Sequence, residues 1–267
     1  LEITELIDNK QKPQLAELSI DASTELPYSD YTRTLDIDNA IHTVMYKENG
    51  ITFKREYFMS YPDNVMVMRL TSDSKKGKLS RIISLESLHT DKTITADSHT
   101  ITMTGYPTPV SGDKRIGDAW KNGLKYAQQL VVKNKGGKIS VVDGTKLKVE
   151  DADEIIVLMS AATNYVQCMD DSYNYFSQED PLEKVQATLH KVADKKYTAL
   201  LATHQKDYHS LYDRMRLNLG NLPEAPVAPT DSLLKGMEEN TNSEQENQYL
   251  EMLYFQFGRY LLISSSR

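Results

Sequence analysis

The sequence has almost no cysteine or tryptophan: Cys168 and Trp120 are the only residues of their kinds among 267. A single cysteine excludes an internal disulfide framework and a zinc site of the CxxC type. Long apolar runs are missing as well, since the most apolar stretch, residues 155–162, has the length of a strand. A helix that spans a bilayer needs about 20 apolar residues, so we expect no membrane span.

Positive charge is also in short supply. The chain carries 31 Lys and Arg against 38 Asp and Glu, for a net charge of −7, whereas a nucleic-acid-binding protein normally shows a basic patch or stripe. We therefore expect no nucleic-acid partner. The apolar content of 39% and the charged content of 26% are typical of a globular protein. A chain of this length suffices for one large domain or two ordinary ones.

The motifs of several common sites are absent. The sequence has no GxSxG, no P-loop and no GxGxxG motif. His204 and His209 are five residues apart, whereas the two zinc-binding histidines of the HExxH pattern are four apart on one helical face. We therefore expect no metal site and no cofactor.

Two further features allow both a functional and an ordinary interpretation. The acidic residues at 170–171, and those at 151 and 153, could supply paired carboxylates for acid–base catalysis. Proximity in sequence is a poor sign of a catalytic pair, which favours solvated loop charge instead. The sixteen tyrosines could stack on sugar rings, although tyrosine is also a common strand residue.

Strand patterns fill the chain up to residue 162. The clearest are residues 41–48 and 51–59, which are joined by Asn49 and Gly50, the preferred pair for a two-residue type I′ hairpin. Residues 31–38 alternate as a half-buried strand does. Further strands are predicted at residues 15–21, 65–70, 79–85, 99–104, 124–133 and 154–162.

Turn signals separate these strands about every ten residues. Gly136–Gly137 and Asp143–Gly144 predict hairpin turns between three successive strands. Residues 105–121 predict a loop, because they combine several prolines and glycines with Trp120. The regular spacing favours an antiparallel β-sandwich over βαβ units.

The periodicity changes from strand to helix after Asp180. This residue is placed to cap a helix that begins at Pro181, and apolar residues then recur at helical spacing. Gly220 closes the segment, a proline-rich linker follows, and Thr230 begins another helix. Residues 249–267 predict a last helix that is apolar on several faces, and such a helix is normally buried among other helices.

Taken together, several segments resemble glycoside hydrolase family 95, in the order in which that family carries them. The first segments resemble its N-terminal domain, the next its linker, and the last the first helix of its catalytic barrel. They are residues 31–38 with Ala40, 55–63 and 67–70, then 152–154 and 161–165, then 204–208 with Leu211, 213–214 and 219–220, and finally 255–267. As a set they are specific, and each alone is weak.

The resemblance implies a mainly β fold with C-terminal helices. It places a large antiparallel β-sandwich at residues 1–180, a helical linker at 181–230 and the start of an (α/α)6 barrel at 231–267. Because the sequence begins with Leu1 and its last helix lacks a stop signal, we expect a piece of a longer protein. The catalytic acid and base are then expected beyond Arg267.

The resemblance also implies an exo-acting α-L-fucosidase that removes terminal, typically α-1,2-linked fucose with inversion and without a metal. Its expected partner is a fucosylated oligosaccharide, and its expected location is the periplasm or the cell surface. His204 would lie on the linker helix that leans against the barrel mouth, which makes it our candidate substrate-binding residue. The ordinary alternative for His204 is a structural hydrogen bond.

Three other interpretations stay open. The protein could be an α-L-galactosidase, or a related sandwich-plus-barrel enzyme such as a disaccharide phosphorylase, which phosphate dependence would reveal. It could also be a non-catalytic sugar-binding module. The last helix speaks against such a module, since a free module would expose Phe255, Phe257, Tyr260 and Leu261 to water.

Overall fold

The computed structural model describes residues 16–22, 27–74, 79–107, 123–167, 175–220 and 228–266. Trp120, Cys168 and the acidic pair at residues 170–171 lie outside these ranges, as do most of the predicted loop at 105–121 and of the proline-rich linker.

Most of the described residues before residue 164 belong to strands. In chain order the strands are β1 (Glu17–Ala22), β2 (Tyr28–Asp36), β3 (Ile41–Glu48), β4 (Ile51–Ser60), β5 (Val65–Ser72), β6 (Leu79–Glu86), β7 (Asp91–Asp97), β8 (Thr100–Tyr106), β9 (Tyr126–Lys135), β10 (Lys138–Val142), β11 (Lys146–Ala152) and β12 (Glu154–Thr163). They form an antiparallel sheet of four strands, in the order β1-β6-β11-β10, and one of eight, in the order β2-β3-β4-β5-β12-β9-β8-β7. The predicted mainly β fold is confirmed.

A hydrophobic core fills the space between the two sheets. Ile83 and Leu147 enter it from the small sheet, and Ile101, Leu130 and Ile155 enter it from the large sheet. All five side chains are fully buried. Burying one such side chain contributes about 1.5–3 kcal/mol, so this shared core is what holds the two sheets together.

The β3–β4 hairpin has the predicted geometry. Asn49 and Gly50 have φ angles of 51° and 75°, and a type I′ turn requires a positive φ at both of its central residues. Glu48 faces Ile51 across the turn, and the pairing continues to His42 and Tyr57. The hairpin prediction is confirmed.

The predicted hairpin at Gly136–Gly137 is wrong. β9 belongs to the large sheet and β10 to the small sheet, so the two glycines carry the chain from one sheet to the other. A Cβ atom on Gly137 would collide with the carbonyl oxygen of Glu150, and the glycines therefore permit a close approach of two backbones. The Asp143–Gly144 turn does join two paired strands, β10 and β11, as predicted.

The two edge strands of the large sheet also depart from the sequence pattern. Residues 31–38 predict a half-buried strand, but every residue of β2 is exposed. The reason is that β2 is the edge of an eight-stranded sheet faced by a sheet of only four strands. The opposite edge, β7, is mostly exposed as well, and no pattern in the sequence predicts it.

After residue 175 the described residues form helices. These are α1 (Pro181–Val192), α2 (Tyr197–Tyr212), α3 (Thr230–Glu238) and α4 (Glu244–Ser265). α1 and α2 cover the outer face of the large sheet, where Val185, Leu189 and Leu200 pack against Phe58 and Leu158. Within the described ranges, no helix is both long and apolar enough to cross a membrane.

The sequence signals at two helix starts are realised in the structure. The Asp180 carboxylate accepts a hydrogen bond of 2.9 Å from the Leu182 amide, and Pro181 occupies the first turn, as predicted. α4 begins more than a turn earlier than predicted, because Ser243 and Glu246 form a reciprocal capping box. Their Ser-x-x-Glu spacing is itself a recognised start signal.

Replacing Asp180 with Ala removes the carboxylate that satisfies the Leu182 amide. We expect the free energy of unfolding to fall by about 1 kcal/mol, measured by urea denaturation of the full-length protein. Asp180→Asn retains an acceptor oxygen and should keep most of the stability. An equal loss in both variants would show that the cap hydrogen bond is not the cause.

Candidate functional site

The turn between β2 and β3 is held in a fixed shape by its own first residue. Asp36 Oδ1 accepts hydrogen bonds of 3.1 Å from the amides of Asp38 and Asn39, and Asp36 Oδ2 accepts a bond of 2.8 Å from Asn39 Nδ2. Ala40 closes the turn with a φ angle of 52°, which is uncommon for a residue other than glycine. The backbone carbonyls of residues 37–40 are thereby left to bond elsewhere.

Side chains of α2 bond to these carbonyls. The Tyr208 hydroxyl donates to the Ile37 oxygen at 2.6 Å. His204 Nε2 lies 3.1 Å from the Asn39 oxygen and 3.2 Å from the Ala40 oxygen. Because a carbonyl oxygen can only accept, Nε2 of His204 carries the ring proton.

His209 and Gln205 extend this contact along the same helix. His209 Nε2 lies 3.1 Å from the Asp38 oxygen, and Gln205 Nε2 donates to Asn39 Oδ1 at 3.1 Å. With a spacing of five residues, the two histidines therefore bond to neighbouring carbonyl oxygens of one turn. We call this set of bonds from α2 to residues 37–40 the turn clamp.

His204 is the residue predicted to bind substrate, and the structure places it beneath the surface. Its side chain is 5% exposed, and its ring stacks on Phe58 with 4.8 Å between ring centres. Burial lowers the pKa of His204, in spite of the carbonyls of Asn39 and Ala40 beside it. The imidazole is thus neutral at neutral pH. Its role in substrate binding stays a prediction.

Arg259 attaches α4 to the end of α2. Its guanidinium donates at 2.7 Å to the carbonyl oxygens of both Tyr212 and Met215, and it lies 4.8 Å from the centre of the Tyr212 ring. Burial raises the pKa of Tyr212 to about 12. Since α2 is held by the turn clamp, Arg259 fixes α4 relative to the large sheet as well.

A groove of about 370 Å³ lies where the ends of the strands meet α2 and α4. We call it the strand-end groove. Its wall on the sandwich side comes from β2 to β5 and their turns, and its other wall from the two helices. Its lining residues are Leu35, Ala40, His42, Tyr57, Phe58, Met59, Ser60, Tyr61, Asn64, Met66, His204, Asp207, Tyr208, Tyr260, Ile263 and Ser264.

The strand-end groove is close to uncharged. No lysine or arginine is among the described residues that line it, and Asp207 is the one carboxylate among them. Burial, and then the charge of Arg33, lowers the pKa of His42. With His204 also neutral, the groove offers rings and neutral hydrogen-bonding groups. Such a lining suits a neutral polar ligand better than an anion.

A second polar cluster joins three strands of the large sheet, and sequence reasoning missed it. Arg69 on β5 bonds to Glu154 on β12 at 2.6 Å and lies 3.5 Å from Glu56 on β4. Its guanidinium covers the Tyr197 ring at 4.7 Å, and burial raises the pKa of Tyr197 to about 12. Lys54 also pairs with Glu56 at 2.8 Å, so each carboxylate has a cationic partner and the cluster is a structural ion-pair network rather than an acid–base pair.

The remaining sequence candidates are dispersed. Asp151 and Asp153 are exposed at the β11–β12 connection, in agreement with their interpretation as solvated loop charge. Across the described residues, no three His, Cys, Asp or Glu side chains lie close enough together to hold a metal ion.

The buried, neutral state of His204 should be visible in the pH dependence of stability. Above pH about 6.5 the folded and unfolded chains both carry a neutral imidazole, so its contribution is complete. As the pH falls below this value, the unfolded chain binds a proton that the folded chain resists, and stability is lost. The loss per pH unit is at most about 1.4 kcal/mol.

His204→Gln keeps an N–H donor for the turn and cannot bind a proton. We expect urea denaturation midpoints of this variant to fall less steeply between pH 7 and pH 5 than those of the wild type. His190→Gln, at an exposed position on α1, is the matched control and should keep the wild-type slope. Identical slopes in all three proteins would contradict the assignment.

Two family models match the chain. Residues 3–168 match the model described as "Glycosyl hydrolase family 65, N-terminal domain". Residues 196–267 match the model described as "Glycosyl hydrolase family 95 catalytic domain". The first match covers the strands of the sandwich, and the second covers α2, α3 and α4. The turn clamp and the strand-end groove thus lie between the two matched regions.

Several characterised or named proteins are similar along most of the chain. "Probable alpha-fucosidase A" of Aspergillus niger is 30% identical over 259 residues, which are 95% of this chain and 30% of that protein. "Alpha-L-fucosidase 2" of Arabidopsis thaliana is 33% identical over 254 residues, which are 90% of this chain and 29% of that protein. "Probable alpha-fucosidase A" of Aspergillus oryzae is 27% identical over 273 residues, which are 95% of this chain and 34% of that protein.

The chain thus spans about a third of the length of these relatives. The order of the two model matches is the order of the sandwich and the helices in the structure. The chain belongs to the proteins that carry an N-terminal domain of the glycosyl hydrolase family 65 type, and in this chain that domain is followed by a region that matches a family 95 catalytic domain.

Proposed function

We propose that this protein is an exo-acting glycoside hydrolase that removes terminal α-L-fucose from oligosaccharides, with α-1,2-linked fucose as the substrate and inversion at the anomeric carbon. The observation that carries the proposal is the similarity to proteins named as alpha-fucosidases, which extends over 90–95% of the chain. It includes both the sandwich and the helices that match a catalytic domain.

An inverting glycosidase needs a carboxylic acid and a base whose carboxyl groups are about 6.5–9.5 Å apart. Among the described residues, the strand-end groove contains one carboxylate, Asp207, while Glu154 is paired with Arg69 and Glu56 with Lys54 and Arg69. We therefore propose that the described part of the protein positions the catalytic machinery and contributes to substrate binding, and that other residues supply the acid and base.

His204 fits a supporting role in this scheme. Its Nε2 proton is engaged by the turn carbonyls, and its ring forms part of the groove lining. We propose that it keeps the groove wall in shape where the wall meets the substrate. It would then influence substrate binding through the position of its neighbours.

The test is fucose release by the full-length protein from 2′-fucosyllactose. We expect free fucose whose first-formed anomer is β, observed by proton NMR before mutarotation, since inversion of an α-linkage gives the β-sugar. The intact mass of the same sample identifies the polypeptide that carries the activity. Release of α-fucose would contradict inversion, and cleavage of an α-L-galactoside alone would replace fucose as the substrate.

A second candidate function has one observation in its favour. The sandwich matches the N-terminal domain of family 65, and the sequence leaves a disaccharide phosphorylase open. Such an enzyme would cleave an α-glucoside only with inorganic phosphate and would yield a sugar phosphate. Phosphate-dependent cleavage would favour this candidate, whereas sugar binding without any cleavage would favour a non-catalytic module.

A further inference from the structure

We propose that the strand-end groove is a binding subsite for the neutral sugar units that adjoin the terminal fucose, and that Tyr61 is its stacking platform. This inference rests on the proposed function, because the ligand is the remainder of the same oligosaccharide. Four features of the groove support it: a rigid turn, the exposed Tyr61 ring, a lining without cationic side chains and a suitable size.

The turn that carries Tyr61 is held from two sides. Asp63 is buried to 4% side-chain exposure and accepts a 2.6 Å bond from Lys195 Nζ, which lies between α1 and α2. The Ser160 hydroxyl on β12 donates to the Asn64 carbonyl at 3.3 Å. The backbone around Tyr61 is therefore fixed before a ligand arrives, which lowers the entropy cost of binding.

Two large side chains at the rim of the groove are exposed. Tyr61 is 61% exposed and Met59 is 64% exposed, and both line the groove. Tyrosine offers a large, rigid contact area at low conformational-entropy cost. The apolar C–H face of a sugar ring can pack on such a ring while its hydroxyls stay in water.

The scarcity of charged side chains in the groove favours neutral ligands over anions. Its described lining contains neither lysine nor arginine, and burial lowers the pKa values of His42 and His204, so that neither ring is a cation at neutral pH. Phosphates, carboxylates and nucleotides would therefore find no cationic side chain in this lining to pair with. Neutral hydroxyl-rich units can bond to Asn64 and Ser264 at the walls.

The size and place of the groove agree with this ligand. Its volume of about 370 Å³ lies at the lower end of the 300–1,000 Å³ typical of small-molecule pockets, which often form between domains. One wall belongs to the region that matches a family 65 N-terminal domain, and the other to the region that matches a family 95 catalytic domain. A ligand in the groove would therefore contact both regions at once.

The experiment compares Tyr61→Ala with Tyr28→Ala in the full-length enzyme. Tyr28 is 68% exposed on β2 and does not line the groove, which makes it the matched control. We measure KM for 2′-fucosyllactose and for a small aryl α-L-fucoside. In Tyr61→Ala the KM for the trisaccharide should rise about fivefold more than the KM for the aryl fucoside, and in Tyr28→Ala the two values should keep the wild-type ratio.

Three results would overturn the subsite. The first is an equal change of both KM values in Tyr61→Ala. The second is the same change of ratio in Tyr28→Ala. The third is a lower melting temperature of Tyr61→Ala with an unchanged KM ratio, which would mean that polypeptide of the same protein fills the groove.

A binding measurement separates this inference from the proposed function. Saturation-transfer NMR with lactose, the neutral remainder of the substrate, should show contact with the wild type and with Tyr28→Ala, and a much weaker signal with Tyr61→Ala. If the wild type binds lactose in this way but releases no fucose, the proposed function fails while the sugar site stands. If fucose is released and lactose contact does not depend on Tyr61, the subsite fails alone.

Discussion

The position of α2 against the β2–β3 turn depends on the turn clamp, the set of hydrogen bonds that α2 makes to residues 37–40. Each bond contributes only about 0.5–1.5 kcal/mol, but a buried carbonyl left without a partner costs more. Burial also raises the pKa of Tyr208, so its hydroxyl stays protonated and remains a hydrogen-bond donor throughout the physiological pH range. Arg259 attaches α4 to the end of α2. These contacts bring α2 and α4 against the strand ends and so form the helical wall of the strand-end groove.

Much of the fold could be predicted because its signals are local. The Asn49–Gly50 hairpin, the cap at Asp180 and the buried run of β12 each express a preference of a few neighbouring residues. The failures concern long-range information. A glycine pair predicts a turn, but it does not tell whether the next strand joins the same sheet, as at Gly136–Gly137. Likewise, alternation in β2 does not reveal that every residue of this strand is exposed.

The site was less predictable for the same reason. Sequence and family resemblance single out His204, but its carbonyl partners are 164 and 165 positions away. Arg69 and Glu154 are separated by 85 positions. Tyr61 becomes a candidate ligand contact only because the folded chain places it in the lining of the groove. A local pattern can indicate which residue types are unusual. Which of them meet is decided by strand order and by helix packing.

Most bonds of the turn clamp go to backbone carbonyl oxygens, so the clamp depends on the shape of the backbone at residues 37–40. Ile37 bonds to α2 through its carbonyl oxygen. Asp38 contributes its carbonyl oxygen and also its carboxylate, which acts on Tyr212 of α2, while Asp36 sets the shape of the turn. The joint between the sandwich and the helices can therefore tolerate sequence change at position 37 while Asp36 and Ala40 preserve the bend. Sequence divergence can alter the surface of this joint from one relative to another and leave its mechanical fit intact.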